Sequence, residues 1–100
     1  KSHYREYADK VYSYQTCIWQ RVAGGLTIGN ESWYGMTTRQ HQSRADVYHA
    51  DVRLDKVPED TDDLLTLAVE RQLVYLWLGH YVTAAEFGRH FDAAHARLLR

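Results

Sequence analysis

From Val11 to Val22 the chain reads Val-Tyr-Ser-Tyr-Gln-Thr-Cys-Ile-Trp-Gln-Arg-Val, an aromatic and β-branched run closed by Ala23-Gly24-Gly25. Such side chains fit a pleated surface, and a Gly-Gly pair takes the positive φ angles of a tight hairpin turn. The run predicts one strand over 11–22. Alternation sets Tyr12, Tyr14, Thr16, Ile18 and Val22 on one face and Val11, Cys17, Trp19 and Arg21 on the other. Leu26-Thr27-Ile28 then returns antiparallel, Gly29-Asn30-Glu31 turns again, and Ser32-Trp33-Tyr34-Gly35-Met36 adds a third strand, giving a three-stranded meander. Residues 3–10 have no clean period and admit either a strand start or an ordered arm.

Downstream, a threonine of the pair Thr37-Thr38 can cap free amides while Gln40 reaches back, which predicts a helix over about 38–46. Val47 to Leu54 alternates as a fourth strand, ended by Val57-Pro58. Pro58, Thr61 and the acidic residues 59–63 resemble a helix entrance, and Leu65, Val69, Leu73 and Leu76 line one face of an expected helix over about 62–79. The apolar run Leu73 to Leu78 also admits a buried strand, because period alone does not separate the two. Gly79 supplies a helix stop. Thr83-Ala84-Ala85-Glu86 is a second capping box, and Phe87, Phe91, Ala94 and Leu98 recur at helical spacing behind it. The expected fold is a single α+β domain over 1–100: an antiparallel sheet with one short helix over 1–57, packed with a two-helix hairpin over 58–100.

Composition limits the function classes. Residues 1–53 carry seven Lys/Arg against five Asp/Glu, and residues 54–100 carry five against eight. Halves of about +2 and −3 lack the basic field of a dedicated duplex-binding protein. The lone Cys17 excludes an intramolecular disulfide and a cysteine zinc pair, and fits a reducing compartment. No apolar run approaches the ~20 residues of a spanning helix, so a cytoplasmic protein without membrane contact is expected. Lys1 in place of a start methionine leads us to expect native residues upstream.

No motif for catalysis or cofactor binding stands out. His90 and His95 are five apart and point to different sides of a helix, so neither a metal nor another cofactor is expected. Gly24-Gly25 lacks the later glycine and the lysine of a phosphate loop, and no nucleophile sits on a glycine-flanked elbow. The densest polar cluster is Thr37-Thr38-Arg39-Gln40-His41-Gln42-Ser43-Arg44, where hydroxyls, amides and guanidinium groups converge at a strand-to-helix junction. Three Trp and eight Tyr add rings that keep a polar atom, a composition that suits an interface.

The segments Ser13-Tyr14-Gln15-Thr16-Cys17-Ile18-Trp19 and Tyr34-Gly35-Met36-Thr37-Thr38-Arg39-Gln40-His41-Gln42 resemble a family of small uncharacterised bacteriophage proteins. Those read roughly Ser-Tyr-x-Thr-x-Ile-Ala followed by Tyr-Ser-x-Thr-Thr-x-x-His-Gln. The likeness covers about residues 11–45; Trp19 replaces a small residue and Gly35 a serine. It implies a phage or prophage origin and the host cytoplasm, and it brings no catalytic residues.

The reading is a non-enzymatic accessory protein that binds a host or phage protein. The candidate binding residues are Thr37, Thr38, Arg39, His41, Gln42, Arg44, Tyr12, Tyr14, Trp19, Arg21 and Trp33. Single-stranded nucleic acid, held by Arg21, Arg39, Arg44 and Arg53 with adjacent Tyr, is the alternative. A small hydrolase using His41 with Thr37 or Thr38 is a third reading. Homo-oligomer formation is expected from Trp77 and Leu78, which make the long helix apolar on more than one side.

Overall fold

The computed structural model describes residues 3–98 and has the α+β class expected. A five-stranded sheet runs β1 (Tyr4–Glu6), β2 (Lys10–Ser13), β3 (Thr16–Arg21), β4 (Thr27–Asn30) and β5 (Val52–Leu54), in that spatial order. The first four strands pair antiparallel with their sequence neighbours, and β5 joins β4 in parallel after a crossover that carries α1 (Met36–Arg44) and a 3-10 turn at Val47–His49. Then follow α2 (Leu64–Glu70), a separate hairpin of β6 (Val74–Trp77) and β7 (His80–Thr83), and α3 (Ala84–Leu98).

The single strand expected over 11–22 is two strands. The chain reverses at Tyr14-Gln15, with Tyr14 at φ 55, a left-handed conformation that bulky residues seldom adopt. Reversal sets Tyr12 opposite Cys17, and the register shifts so that Val11 faces Trp19, leaving Ile18 as an extra residue. Both events break the alternation. Cys17 and Tyr12 therefore pack with Ile28, Leu54, Leu64 and Val74 on one face of the sheet. Val11, Ile18 and Trp19 pack with Tyr4 and Val47 on the other.

Three further expectations are corrected. Residues 32–35 form no strand; Ser32 and Tyr34 instead bond to Asn30, and α1 begins directly at Met36. The fourth strand is shorter than 47–54, because its first residues coil into the 3-10 turn above Gly29. A Cβ on Gly29 would lie 2.6 Å from the Val47 carbonyl, so glycine lets that turn rest directly on β4. The helix of 62–79 stops at Glu70, and Leu73 to Leu78 takes the extended alternative, with Leu78 and Gly79 turning at φ 50 and 87. A β-hairpin thus stands where a helical hairpin was expected, although both helices exist. Asp63, not Thr61, caps α2 by accepting from the Leu65 amide, whereas Thr83 does receive the Glu86 amide at the start of α3.

Buried polar side chains lock the crossover to the sheet. Gln42, fully buried, donates from Nε2 to the Asn30 and Ser32 carbonyls at 2.8 Å each. Asn30 donates to the Cys17 carbonyl and the Tyr34 hydroxyl, and Ser32 accepts from the Val57 amide. Gln20 does similar work for α2, accepting from the Leu64 amide and donating to Asp63. Among the described residues, every buried side-chain nitrogen and oxygen has a partner, the condition under which burying them is tolerable.

Candidate functional site

The β2–β3 turn and the start of α1 enclose an open cleft of about 420 Å³. Its lining consists of Ser13, Thr16, Thr37 and Thr38 together with Tyr14, Tyr34, Gly35 and Met36. Gly35 precedes the helix at φ 126, a conformation that a residue with a side chain takes only under strain, and no side chain caps the helix there. The expected threonine cap is therefore absent from α1: the Thr38 hydroxyl turns to the sheet and pairs with Ser13 Oγ at 3.0 Å.

Ser13 is the hub. Its Oγ also lies 2.6 Å from His41 Nδ1, so a residue of the hairpin joins two residues of α1. The His41 ring packs against Tyr4 and Tyr14, with ring centroids 5.4 and 6.1 Å away. Tyr14 is held further by stacking on His3 at 4.3 Å and by its carbonyl, which accepts from Arg5 at 2.6 Å. The left-handed Tyr14 backbone is thus over-determined by its surroundings, as strained residues at working sites are.

A serine hydroxyl against an imidazole has the distance of a nucleophile–base pair. Ser13 is 1% exposed, however, and its hydroxyl is shared with Thr38, so a reacting carbonyl has no line of approach. The contact works as a fastener between hairpin and helix. Cys17 is equally unsuited to attack: burial pushes its thiol up to about 11. Among the described residues no group of three His, Cys, Asp or Glu could hold a metal ion.

The candidate residues fall into separate places. Tyr14, Thr37 and Thr38 line the cleft, and His41 reaches it through its contact with Ser13. Trp33 and Arg39 do not line the cleft; they meet each other, the guanidinium lying over the Trp33 ring at 5.1 Å and over Tyr48 at 5.4 Å. Gln42 is a correction: it is fully buried in the backbone network and cannot meet a partner. Trp19, Arg21 and Arg44 line a second depression of about 280 Å³ with Tyr4, Glu6 and Asp46. Arg44 stacks there on Tyr4 at 4.1 Å and Arg21 on Trp19 at 5.1 Å.

Tyr12 belongs to neither group, since its hydroxyl donates to Asp62 at 2.7 Å and its ring packs on the α2 side of the sheet. Burial, reinforced by that bond, raises its pKa. Tyr12 and Trp19 lie on opposite sides, as alternation sets them, but the turn at Tyr14 and the extra Ile18 exchange their companions: Cys17 joins Tyr12, and Ile18 joins Val11 and Trp19. Ser13, Tyr34 and Met36 were not among the candidates. Ser13 opens the segment Ser13-Tyr14-Gln15-Thr16, and alternation assigns Tyr34 and Met36 to a strand that is not formed.

No helix among the described residues is long and apolar enough to cross a membrane. Set beside family models, curated proteins and solved structures, the chain matches none of them.

Proposed function

We propose that this chain acts by occupancy, binding a protein partner with the rim of the α1 cleft. The observation that carries this reading is the exposure of large side chains at one opening: Met36 at 68%, with Tyr14 and Tyr34 also exposed, and Trp33 at 61% next to Tyr34 in the chain. Tyr, Trp, Met and Arg are the residues that concentrate at the centres of protein interfaces. Behind this rim the Ser13–Thr38–His41 network fixes the hairpin against the helix, so little order remains to be imposed on binding. The phage-like segments Ser13–Trp19 and Tyr34–Gln42 support a phage or prophage origin and a host or phage protein as the partner, met in the host cytoplasm.

A protein partner is favoured over single-stranded nucleic acid by where the cations lie. Arg21 and Arg44 line the second depression, Arg39 lies over Trp33 and Tyr48, and Arg53 sits beside Glu31 and Asp51. Four arginines over three surfaces, two of them shared with carboxylates, do not trace a backbone as a strand-binding groove does.

The test is capture from bacterial lysate on the immobilised chain, read by mass spectrometry, with Trp33→Ala/Met36→Ala as the comparison. Both side chains are exposed, so the double variant should keep its fold. A protein retained by the native chain and lost from the variant is the expected outcome; identical sets would end the proposal. Tyr14→Gly refines it. Glycine relieves the φ 55 strain and should leave stability within about 1 kcal/mol while weakening capture. Oligonucleotide binding that weakens as salt rises would favour the nucleic-acid alternative.

A further inference from the structure

None of the fifteen residues of α3 is buried. Its first turns rest on the hairpin: Phe87 stacks on Tyr75 at 4.6 Å and meets Trp77 edge-on, and His90 stacks on Trp77 at 5.3 Å. Trp77 ends β6, so the helix beyond His90 runs past the hairpin. There Phe91 is 54% and Leu98 83% exposed. The chain extends 61 Å along its longest axis, with a radius of gyration of 15.5 Å, against about 13 Å for a compact body of this length. An isolated helix of about 12–15 residues is marginal in water, so this end needs something to cover it.

We infer that a second copy of this chain covers it, the two α3 helices packing antiparallel about a two-fold axis near Phe91. The stripe is self-complementary in shape and in charge. Phe87, Phe91, Ala94 and Leu98 follow at spacings of four, three and four, the seam spacing of paired helices. In an antiparallel pair, Phe91 of one copy meets Ala94 of the other, bulk against a small residue, and Leu98 reaches the exposed edge of the partner's Phe87. Glu86 and Arg97 are eleven residues apart, three helical turns, and so flank the stripe on the same side. Antiparallel pairing brings each Glu86 to the other copy's Arg97, twice per dimer, as an isologous interface requires. Parallel pairing would set the two Glu86 at one level on opposite flanks of the seam, three turns from either Arg97.

This interface uses no residue that lines the α1 cleft, so it stands or falls apart from the proposed function. The experiment is analytical ultracentrifugation of the full chain from about 1 to about 100 μM, the range that reveals a Kd of order 10 μM. A dimer that forms with concentration is expected. Phe91→Glu and, separately, Ala94→Glu, which keeps the Phe87–Phe91–His95 ring ladder intact, should each weaken it about tenfold or more. Glu86→Lys and Arg97→Glu should each weaken it several-fold at low salt, and an equimolar mixture of those two variants should recover a heterodimer. Four outcomes would overturn the inference: a monomer throughout, a dimer indifferent to the seam charges, a mixture no tighter than its components, or a monomer that instead sediments with phosphatidylglycerol vesicles.

Discussion

Gln42 and Phe91 invert what their polarity suggests. Gln42 is a polar residue on α1 with no exposed surface, whereas Phe91 is a ring on α3 that is half open to solvent. Around Gln42 every hydrogen-bonding group is matched, two carbonyls taking the Nε2 hydrogens and Tyr48 reaching Oε1. Phe91 stacks on rings of its own helix, Phe87 on one side and His95 on the other. The body is held by specific directional bonds between distant segments. The arm is held by a row of stacked rings and a two-stranded hairpin, an element that is marginal by itself. Burial therefore follows the availability of partners in the fold rather than residue type.

The comparison is sharpened most by mutating the body's core. Leu54→Ala, at a position with no exposure, should cost about 2–5 kcal/mol in urea unfolding; a cost below about 1 kcal/mol would show that the sheet core is loosely packed. Gln42→Ala leaves the Asn30 and Ser32 carbonyls without their donor and should cost about 2–4 kcal/mol, more than any polar surface substitution.

Cys17 offers a pH reading of the same body. Burial raises its thiol from 9.0 to about 11, so the folded state prefers the neutral form. That preference is fully present below the unfolded pKa and is lost as pH rises through the folded one. Between these two values the native chain should lose about 2–3 kcal/mol more stability than Cys17→Ala, at 1.36 kcal/mol per unit. Equal slopes would place the thiol in contact with water.

Asp63 works in the opposite direction. Burial tends to raise it, but hydrogen bonds from Gln20, Thr66 and the Leu65 amide outweigh burial and lower it. Its contribution is present above the ordinary carboxyl range and is lost as pH falls through the depressed value. Asp63→Ala should cost about 0.5–2 kcal/mol at neutral pH, as lost caps do, and flatten the acid limb of the stability curve. The smallest effect belongs to the arm. Phe91→Ala in the dilute monomer should change stability by less than about 0.5 kcal/mol, and a core-sized loss there would break the contrast.

The sequence was most readable where a residue's backbone preference and its place in the fold agree. Gly24 and Gly25, at φ 97 and 86, form the turn their identity predicts. Tyr14 turns the chain although a tyrosine inside a β-rich run gives no such signal, and that concealed reversal hides both the hairpin tip and the facing of Cys17 and Ile18. Leu73 to Leu78 carries apolar residues on both strand faces, which a helical period fits equally well. Thr37, Thr38 and His41 were found as a cluster because they are close in sequence. Their connection to Ser13 was not, since a hydrogen bond across 25 or 28 residues leaves no local trace. Gln42 has the same composition signal as its exposed neighbours.

The parallel pairing of β4 with β5 has a consequence for how the molecule assembles. The antiparallel pairs β1–β2, β2–β3 and β3–β4 close over short stretches of chain, but β5 reaches its neighbour only after residues 31–51 have been laid across the sheet. Those residues include α1, one wall of the cleft. Closing so distant a contact is slow compared with zipping neighbouring hairpins. Pairing neighbouring strands first forms the meander before α1 lies across it, so the α1 cleft is complete only once β5 has docked.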